Sequence, residues 1–275
     1  MKYFVSTARG FGAKIEFFDL GRMTSEPWRL TVPVPSDDRL GDFRVPGDFS
    51  GIYCRPIDLS AALPENQSRG WLSSMRALSV FLACVPITVV NRPGSASHNS
   101  AKPLHSFELQ RLGFDVAPSI TSSDPARLRA FVAEQGDVVL KAVSGMRANT
   151  RLFKLSELAS FEPASGPIHL QRLTEGHDVR AHVVGETVVA EATYANGIDY
   201  RLDREARREA IEIPDRLRKQ LVRATRKLGL QFAGWDFKVS GEKYWCLEAN
   251  PMPGYNYYDQ RLDGRITRAL VSYLN

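Results

Sequence analysis

Two periods of hydrophobic residues run along this chain, and they predict different elements. In residues 71–84 apolar side chains recur every three or four positions, which predicts a helix, and the apolar residues 87–91 predict a short buried strand. Two apolar runs nearer the start, Tyr3–Thr7 and Lys14–Phe18, are also typical of strands. We therefore expect a small α/β domain over residues 1–92.

Helices, and then strands of alternating polarity, follow the segment NRPGSASHNSAKP, whose composition is typical of a loop between domains. Asp124 as N-cap and Pro125 at the first helical position predict a helix that ends at Gly136. Beyond it, the runs IHLQRL, DVRAHVVG and ETVVAEATY predict an antiparallel sheet, and a leucine stripe predicts a helix over residues 215–228. The second part of the chain should therefore have an α+β arrangement.

Composition and charge exclude several classes of protein. Of the 275 residues, 43% are hydrophobic and 24% are charged, which is typical of a folded protein and not of a disordered one. The formal charge of +5 is spread out without a run of Lys or Arg, so we expect neither a nucleic-acid partner nor a basic membrane anchor. The longest apolar stretch, Ala77–Val90, is interrupted by polar residues and is too short to span a bilayer.

The cysteines indicate a reducing compartment. They are odd in number, far apart and surrounded by apolar residues: Cys54, Cys84 and Cys246. This pattern favours buried thiols over a disulfide frame or a zinc site. Because the N-terminal segment also lacks the features of an export signal, we expect a cytoplasmic protein.

The most informative stretch is FAGWDFKVSGEKYWCLEAN, residues 232–250, in which two strand-like runs flank a turn. We expect a hairpin with the three-residue loop Ser240–Glu242, so that Val239 pairs with Lys243. Successive side chains of a strand point to opposite faces. The odd-numbered residues are predicted to form the core face, which comprises Trp235, Phe237, Val239, Trp245, Leu247 and Ala249. The even-numbered residues are predicted to form the second face, which comprises Asp236, Lys238, Tyr244, Cys246, Glu248 and Asn250.

Three oxygen-bearing side chains meet at one end of the even-numbered face. Asp236 lies on the first strand, and Glu248 and Asn250 lie on the second. Two carboxylates and an amide oxygen suit a hard cation such as Mg²⁺, which completes its shell with water and substrate phosphates. The pattern also fits a polar face that only meets water, and at the level of the sequence this alternative stays open.

Two lysines and an Asp–Arg pair are further candidates for binding an anion. Lys141 lies within the apolar strand VVLKAV, where an ammonium group needs either an anionic partner or a route to water. Lys102, just before a helix, is a second phosphate candidate or a plain surface lysine. Asp178 and Arg180 alternate along one strand and project from the same face. Arg180 can neutralise a transferring phosphate that Asp178 orients, or the two can belong to cross-strand ion pairs.

The order of these motifs resembles the ATP-grasp superfamily, and most closely its branch of RimK-like ribosomal-protein glutamate ligases and graspetide ligases, which cross-link ribosomal peptides. The pieces that carry the resemblance lie between Val89 and the C-terminus: NRPGSASHNSAKP, VVLKAVSG, HLQRLTEGHDVRAHVVG, DYR, GWDFKV and WCLEANPMPGYNYYD. The most specific piece is an Asp followed on the next strand by Glu-x-Asn and Pro-x-Pro-Gly. The resemblance implies the ATP-grasp fold, a small N-terminal α/β domain followed by two α+β lobes that clasp ATP.

Domain bounds and residue roles are also implied by the resemblance. The domains are expected at residues 1–92, 93–172 and 173–275. The residues implied to bind the nucleotide are Lys102 and Lys141 at the phosphates, the main chain of Gln171, Arg172 and Leu173 at the adenine, and Asp178 near the ribose. The implied catalytic residues at the γ-phosphate and the acyl-phosphate are Arg180 and Arg201, and the implied ligands of two Mg²⁺ ions are Asp236, Glu248 and Asn250.

Two departures from the branch limit what it implies. Arg172 stands where several relatives carry an acidic residue, and the loop SGMRANTR has one glycine where many relatives have several. These departures bear on the selectivity for the base and on the closure of this loop.

The implied reaction is the ATP-dependent joining of a carboxylate to an amine by an ADP-forming ligase of C–N bonds. The carboxylate attacks the γ-phosphate, and the amine captures the resulting acyl-phosphate to form an amide. Small molecules or peptides are the expected substrates, and a homo-oligomer is expected because relatives often form dimers or tetramers. Two alternatives stay open: a phosphotransferase on the same scaffold, and a nucleotide-binding regulatory protein without turnover.

Overall fold

The structure is a computed structural model that describes residues 1–25, 39–40, 43–44, 49–56, 59, 63–94, 101–143, 150–197, 203 and 205–275. Its α-helices are α1 (Lys2–Gly10), α2 (Glu65–Cys84), α3 (Lys102–Arg111), α4 (Pro125–Gln135), α5 (Asp215–Lys227), α6 (Asn256–Arg261) and α7 (Arg265–Leu274). Its strands are β1 (Arg39–Leu40), β2 (Phe43–Arg44), β3 (Gly51–Tyr53), β4 (Thr88–Val90), β5 (Ser119–Ser122), β6 (Val138–Lys141), β7 (Arg151–Leu152), β8 (Ile168–Arg172), β9 (His177–Val184), β10 (Thr187–Tyr194), β11 (Arg207–Ile211), β12 (Phe232–Ser240) and β13 (Lys243–Asn250). Within these ranges, no helix combines the length and the apolar character that a bilayer span requires.

The chain divides into two compact units. The first comprises Met1–Ala96, Arg226–Phe232 and Gly254–Asn275. In this unit β3 and β4 pair in parallel, with Ile52 opposite Val89. Leu78 and Phe81 of α2 pack with Val89 in its core. Arg92 fixes the end of α2, because its guanidinium donates to the main-chain carbonyl of Leu82 at 2.7 Å.

The N-terminal segment is helical, so the predicted strand over Tyr3–Thr7 is wrong. Phe4 and Ala8 are the buried residues of α1, and their spacing of four brings them to one face of a helix. A short apolar run alone does not distinguish a strand from a helix. The predicted strand over Lys14–Phe18 is also wrong, because this segment has no regular secondary structure.

The second unit contains two sheets. It comprises Ser97–Thr225 and Ala233–Pro253. The strand orders are β5-β8-β6-β7 and β11-β10-β9-β12-β13. The pairs β9–β10, β10–β11 and β12–β13 are antiparallel, as are β5–β8, β6–β8 and β6–β7. The predicted α+β arrangement is thus confirmed, whereas the division at residues 92/93 and 172/173 stays a prediction.

β12 and β13 form the predicted hairpin, but its predicted register is wrong. Ser240 pairs with Lys243 across a two-residue turn, in which Gly241 has a φ of +57°. The ladder next to the turn is therefore shifted by one residue, and Val239 lies opposite Tyr244. Because side chains alternate along a strand, this shift moves the β13 side chains near the turn to the face opposite to the predicted one, whereas those of β12 keep their predicted face.

A bulge between Asp236 and Phe237 shifts the register by one more residue. Asp236 then lies opposite Glu248, and Gly234 lies opposite Asn250. The two shifts together return this half of the hairpin to the predicted alternation. Asp236, Glu248 and Asn250 therefore share one face, as predicted, although they do so in a different register.

In the observed register, three side chains of β13 lie on the face opposite to the predicted one. Tyr244 and Cys246 were expected on the second face but lie on the core face, where Cys246 is fully buried. Trp245 was expected in the core but lies opposite Lys238 on the second face. Leu247 is the extra residue at the bulge. The core face comprises Trp235, Phe237, Val239, Tyr244, Cys246 and Ala249.

Candidate active site

One face of the five-stranded sheet collects five of the eleven predicted site residues. Residues directly opposite each other in a ladder share a face, and so do residues two apart along one strand. Ion pairs between β9 and β12 show that these two strands present their charged residues on the same side. This polar face comprises Glu191 of β10, Asp178 and Arg180 of β9, Asp236 and Lys238 of β12, and Trp245, Glu248 and Asn250 of β13.

Arg180 and Asp236 form an ion pair across β9 and β12. Burial raises the pKa of Asp236 above its ordinary value, and the Arg180 guanidinium opposes that rise. Gly234 allows the guanidinium to lie close to the strand, because a side chain at this position would collide with Arg180 and with Pro253. The glycine of GWDFKV is therefore required by the packing of the site.

Lys102, at the start of α3, donates to a carboxylate oxygen of Glu248 at 2.9 Å. The two side chains are 22% and 24% exposed. His105, one turn further along α3, fastens this helix to β13, because its Nε2 accepts a hydrogen bond from the Ala249 main-chain N–H at 2.9 Å. Lys102 is thus held beside a predicted metal ligand and is not a plain surface lysine.

Asp236, Glu248 and Asn250 supply the oxygen atoms of the predicted metal site. Glu248 adds to the rise in the pKa of Asp236, so the two carboxylates repel each other, and a divalent cation would relieve that repulsion. The Asn250 Oδ1 accepts from the Met252 main-chain N–H at 2.8 Å. The described ranges contain no group of three or more His, Cys, Asp or Glu side chains able to hold a metal. Two carboxylates and one amide oxygen nevertheless fit Mg²⁺, which takes few protein ligands when phosphates complete its shell.

Lys141 reaches the same cleft from the four-stranded sheet. Its ammonium donates to the Gln171 Oε1 at 2.5 Å. Burial, followed by the nearby Lys102 ammonium, lowers the pKa of Lys141 to about 8. The carboxylates of Glu248 and Asp236 oppose this shift. Because such effects weaken with distance, these four charged groups lie close together in the second unit.

The main chain predicted to hold adenine lies at the end of β8. The Arg172 N–H donates to the Pro118 carbonyl at 2.9 Å, and the Leu173 N–H donates to the Asp137 carbonyl at 2.8 Å. Gln171 uses its buried side chain, and not only its main chain, as an acceptor. Both N–H groups are engaged in this structure, so a contact of either group with adenine would replace a bond; the assignment stays a prediction.

Asp178 accepts a hydrogen bond from the Lys238 ammonium at 2.8 Å, and these side chains are 13% and 11% exposed. Asp178 and Arg180 therefore each pair with β12 and not with each other, which agrees with the cross-strand alternative. Ion pairing does not prevent either residue from meeting a nucleotide when one binds. The second predicted catalytic arginine, Arg201, lies outside the described residues, as do residues 144–149 of the loop SGMRANTR.

Three residues of the cleft were missed by reasoning from the sequence. No spacing of histidines indicates that His105 joins a helix to a strand. Lys238 shares the predicted alternation with Asp236, which was a usable signal. Trp245 was assigned to the core because it is aromatic, but its ring lies under the Arg172 Cζ at 4.8 Å and the Lys243 Nζ at 3.9 Å.

Comparisons with known proteins agree with this architecture. Residues 169–274 match the family described as the RimK-like ATP-grasp domain. The tetrahydromethanopterin:alpha-L-glutamate ligase of Methanococcus maripaludis is 28% identical over 134 residues, in a match that covers 43% of this chain and 46% of that protein. The chain thus matches about half the length of this relative.

Solved structures cover the whole chain. The ATP-grasp ligase PsnB, in complex with a minimal precursor, is 27% identical with a TM-score of 0.82, covering 100% of this chain and 94% of that chain. The macrocyclase MdnC from Microcystis aeruginosa MRC, bound to the precursor peptide MdnA, is 19% identical with a TM-score of 0.83, covering 99% and 94%. The resemblance and the fold expected from the sequence are confirmed: this chain has the ATP-grasp fold, and its residues 169–274 match the RimK-like ATP-grasp domain.

Proposed function

We propose that this protein is an ATP-dependent ligase that joins a carboxylate to an amine through an acyl-phosphate. The observation that carries the proposal is the cleft in the second unit. There, two neighbouring carboxylates, Asp236 and Glu248, lie within electrostatic reach of Lys102 and Lys141, and Arg180 pairs with one of them. This combination offers oxygen ligands for a divalent cation and positive groups for phosphates in the same place.

The residues of the cleft have distinct roles in this proposal. Lys102 and Lys141 bind the phosphates of ATP, and Arg180 neutralises charge on the γ-phosphate as it is transferred. Asp236, Glu248 and Asn250 would hold two Mg²⁺ ions. When bound, these ions would neutralise negative charge on the phosphate oxygens. Arg201 would stabilise the acyl-phosphate.

The chemistry needs positioning and charge neutralisation more than a general base. A carboxylate oxygen of the donor forms a bond to the γ-phosphorus, and the bond to ADP breaks. The amine nitrogen then attacks the acyl carbon, inorganic phosphate leaves, and the nitrogen loses a proton. We assign Arg180 to the first step because its guanidinium is buried, with the residue 8% exposed, and a charge shielded from water acts strongly on developing charge.

The substrates follow from the relatives only as a proposal. PsnB has been solved with a minimal precursor and with Mg and ADP, and MdnC with a precursor peptide. The glutamate ligase relative indicates a small-molecule alternative. We propose a peptide as the carboxylate donor, because the peptide-bound structures match this chain over almost its full length. A homo-oligomer and a cytoplasmic location are further expectations of the same proposal.

Trapping of the intermediate tests the proposed reaction. The full chain is incubated with ATP, Mg²⁺, hydroxylamine and candidate peptides that carry Asp and Glu side chains. We expect ADP together with a peptide hydroxamate, because hydroxylamine captures an acyl-phosphate. A stable phosphorylated product without hydroxamate would instead identify a phosphotransferase, and ATP binding without ADP under every substrate mixture would identify a regulatory protein.

A further inference from the structure

Residues 172–178 join the last residue of β8 to β9 and so connect the two sheets of the second unit; we call them the β8–β9 segment. Within the proposed ligase we place adenine on the main chain at one end of this segment and the ribose near Asp178 at the other, as the resemblance to the ATP-grasp superfamily implies. Selectivity for the nucleoside therefore depends on how firmly both ends are held. The β12–β13 hairpin contacts the segment at both ends and in the middle.

Trp245 holds the first end. The Arg172 Cζ lies 4.8 Å from the centroid of its ring, within the range of a cation–π interaction. Arg172 occupies one of the positions whose main chain is proposed to meet the base. The ring also receives the exposed Lys243, whose Nζ lies 3.9 Å from the centroid. Lys243 thus touches the same indole but is itself a residue of the hairpin.

Lys238 holds the second end. Its ammonium donates to Asp178 at 2.8 Å and lies 3.4 Å from the Gly176 carbonyl oxygen. Lys238 is only 9% exposed, so this ion pair is shielded from water and fixes the direction of the Asp178 carboxylate. In the hairpin ladder Lys238 lies directly opposite Trp245. Two adjacent side chains of one hairpin therefore hold both ends of the segment.

Gly176 seats the middle of the segment against the hairpin. Its φ is +118°, a conformation that residues with side chains rarely adopt. A Cβ at this position would overlap the Val239 carbonyl. The close approach of the two backbones means that the segment cannot shift along the hairpin without breaking these contacts.

We propose that Trp245 and Lys238 are positioning residues that set the selectivity for the nucleoside of ATP, Trp245 for the base and Lys238 for the ribose. The inference rests on the proposed function, because that function puts the nucleoside along the β8–β9 segment. Main-chain groups recognise adenine by their position relative to the edge of the base. Loss of the contact between Trp245 and Arg172 should therefore reduce the preference for adenine over guanine. Loss of the ion pair between Lys238 and Asp178 should reduce the preference for ribose over deoxyribose.

Equilibrium binding by calorimetry tests the proposal with the full chain and without any acceptor. The ligands are ATP, GTP, 2′-deoxyATP and 3′-deoxyATP, each with Mg²⁺. For Trp245→Leu we expect ATP to bind about tenfold more weakly, in line with the loss of a partly shielded cation–π contact, and the preference for ATP over GTP to fall by a similar factor. For Lys238→Met we expect the preference for ATP over a deoxyATP to fall while the preference over GTP is kept.

Two controls separate positioning from general stabilisation. Lys243→Gln removes the other cation on the same indole and should leave all four affinities unchanged. Lys238→Arg keeps the charge and should keep the preference for ribose. Equal weakening of all four nucleotides in Trp245→Leu and Lys238→Met would overturn the proposal, because a purely structural role lowers every affinity alike.

Lys238→Met leaves a buried carboxylate without its cation and can fail to fold. In that case Lys238→Met with Asp178→Asn removes both charges and should still lose the ribose preference; a preserved preference in this double variant would also overturn the proposal. Failure of the two proposals is distinguishable. If the wild-type protein binds ATP but forms no hydroxamate, only the proposed ligase reaction is contradicted. If the wild-type protein prefers neither ATP over GTP nor ATP over the deoxyATPs, this inference is contradicted.

Discussion

The two faces of β12 carry opposite chemistry on one stretch of backbone. On one side Trp235, Phe237 and Val239 are 0%, 1% and 4% exposed. On the other side Asp236 and Lys238 each form an ion pair with β9. Because the period of a strand is two residues, a change at one position acts on one face only. Stability and chemistry should therefore be separable by substitutions at neighbouring positions.

The largest effect is expected on the core face. Trp235 packs against Phe114, with ring centroids 4.9 Å apart, and its Nε1 donates to the Thr225 Oγ1 at 2.9 Å. Trp235→Ala should lower the free energy of unfolding by about 3–5 kcal/mol. Urea denaturation measures this loss, and the protein that stays folded should bind Mg–ATP as the wild type does. Weak ATP binding by that folded protein would break the separation of the two faces.

The polar face should show the reverse pattern. Glu248→Gln removes one of the two carboxylates proposed to hold the metal, and Mg²⁺-dependent ADP formation should fall on the order of 10²-fold or more. The free energy of unfolding should change by less than about 1 kcal/mol, because the lost pair with Lys102 is partly exposed. Glu242→Gln, an exposed position in the turn of the same hairpin, is the matched control and should be as active as wild type.

A smaller effect is expected from pH. The Lys141 ammonium, whose pKa lies near 8, is charged below that pH and neutral above it. ATP affinity should therefore weaken as the pH rises through about 8, by up to about tenfold for each pH unit above it. Calorimetry across this range measures the slope. Lys141→Gln should bind ATP more weakly at low pH and without this slope, and an unchanged slope in that variant would exclude Lys141 as its source.

The smallest effect concerns the metal without nucleotide. In this structure Lys102 forms an ion pair with Glu248. Lys102→Gln should free the carboxylate and raise the affinity for Mn²⁺ a few-fold, since such pairs contribute about 0.2–1 kcal/mol. Electron paramagnetic resonance of free Mn²⁺ measures that affinity. Lys243→Gln serves as the control for loss of a positive charge. Weaker Mn²⁺ binding by Lys102→Gln would mean that the lysine does not compete with the metal.

The sequence predicts correctly that Asp236 and Glu248 share a face of the hairpin, although the predicted register is wrong. Only the structure shows why. A single glycine at position 241 permits a two-residue or a three-residue turn, and the choice moves every side chain near the turn to the other face. The bulge leaves no mark in the sequence here, because residues 244–247, which adjoin it, are all apolar or aromatic. Because the turn and the bulge each shift the register by one residue, Asp236 and Glu248 still lie on one face.

Elsewhere the sequence is informative where local chemistry decides the structure. Asp124 caps α4 as predicted, since its Oδ1 accepts from the Ala126 main-chain N–H at 2.8 Å. Long-range contacts are different. The contact of His105 with β13, and the contact of Trp245 with Arg172, depend on how separate elements meet. Neither the hydrophobic period nor the spacing of residues in the sequence encodes a contact between separate elements. The roles of His105 and Trp245 could therefore not be predicted.

In the proposed mechanism the ion pairs of the cleft open to hold Mg²⁺ and the phosphates of ATP. A crystal structure of the full chain with Mg²⁺ and a non-hydrolysable ATP analogue would show whether they do. We expect a metal ion on the carboxylates of Asp236 and Glu248, with the Lys102 ammonium moved from Glu248 to a phosphate oxygen. A nucleotide bound elsewhere, with the Lys102–Glu248 and Arg180–Asp236 pairs intact, would contradict it.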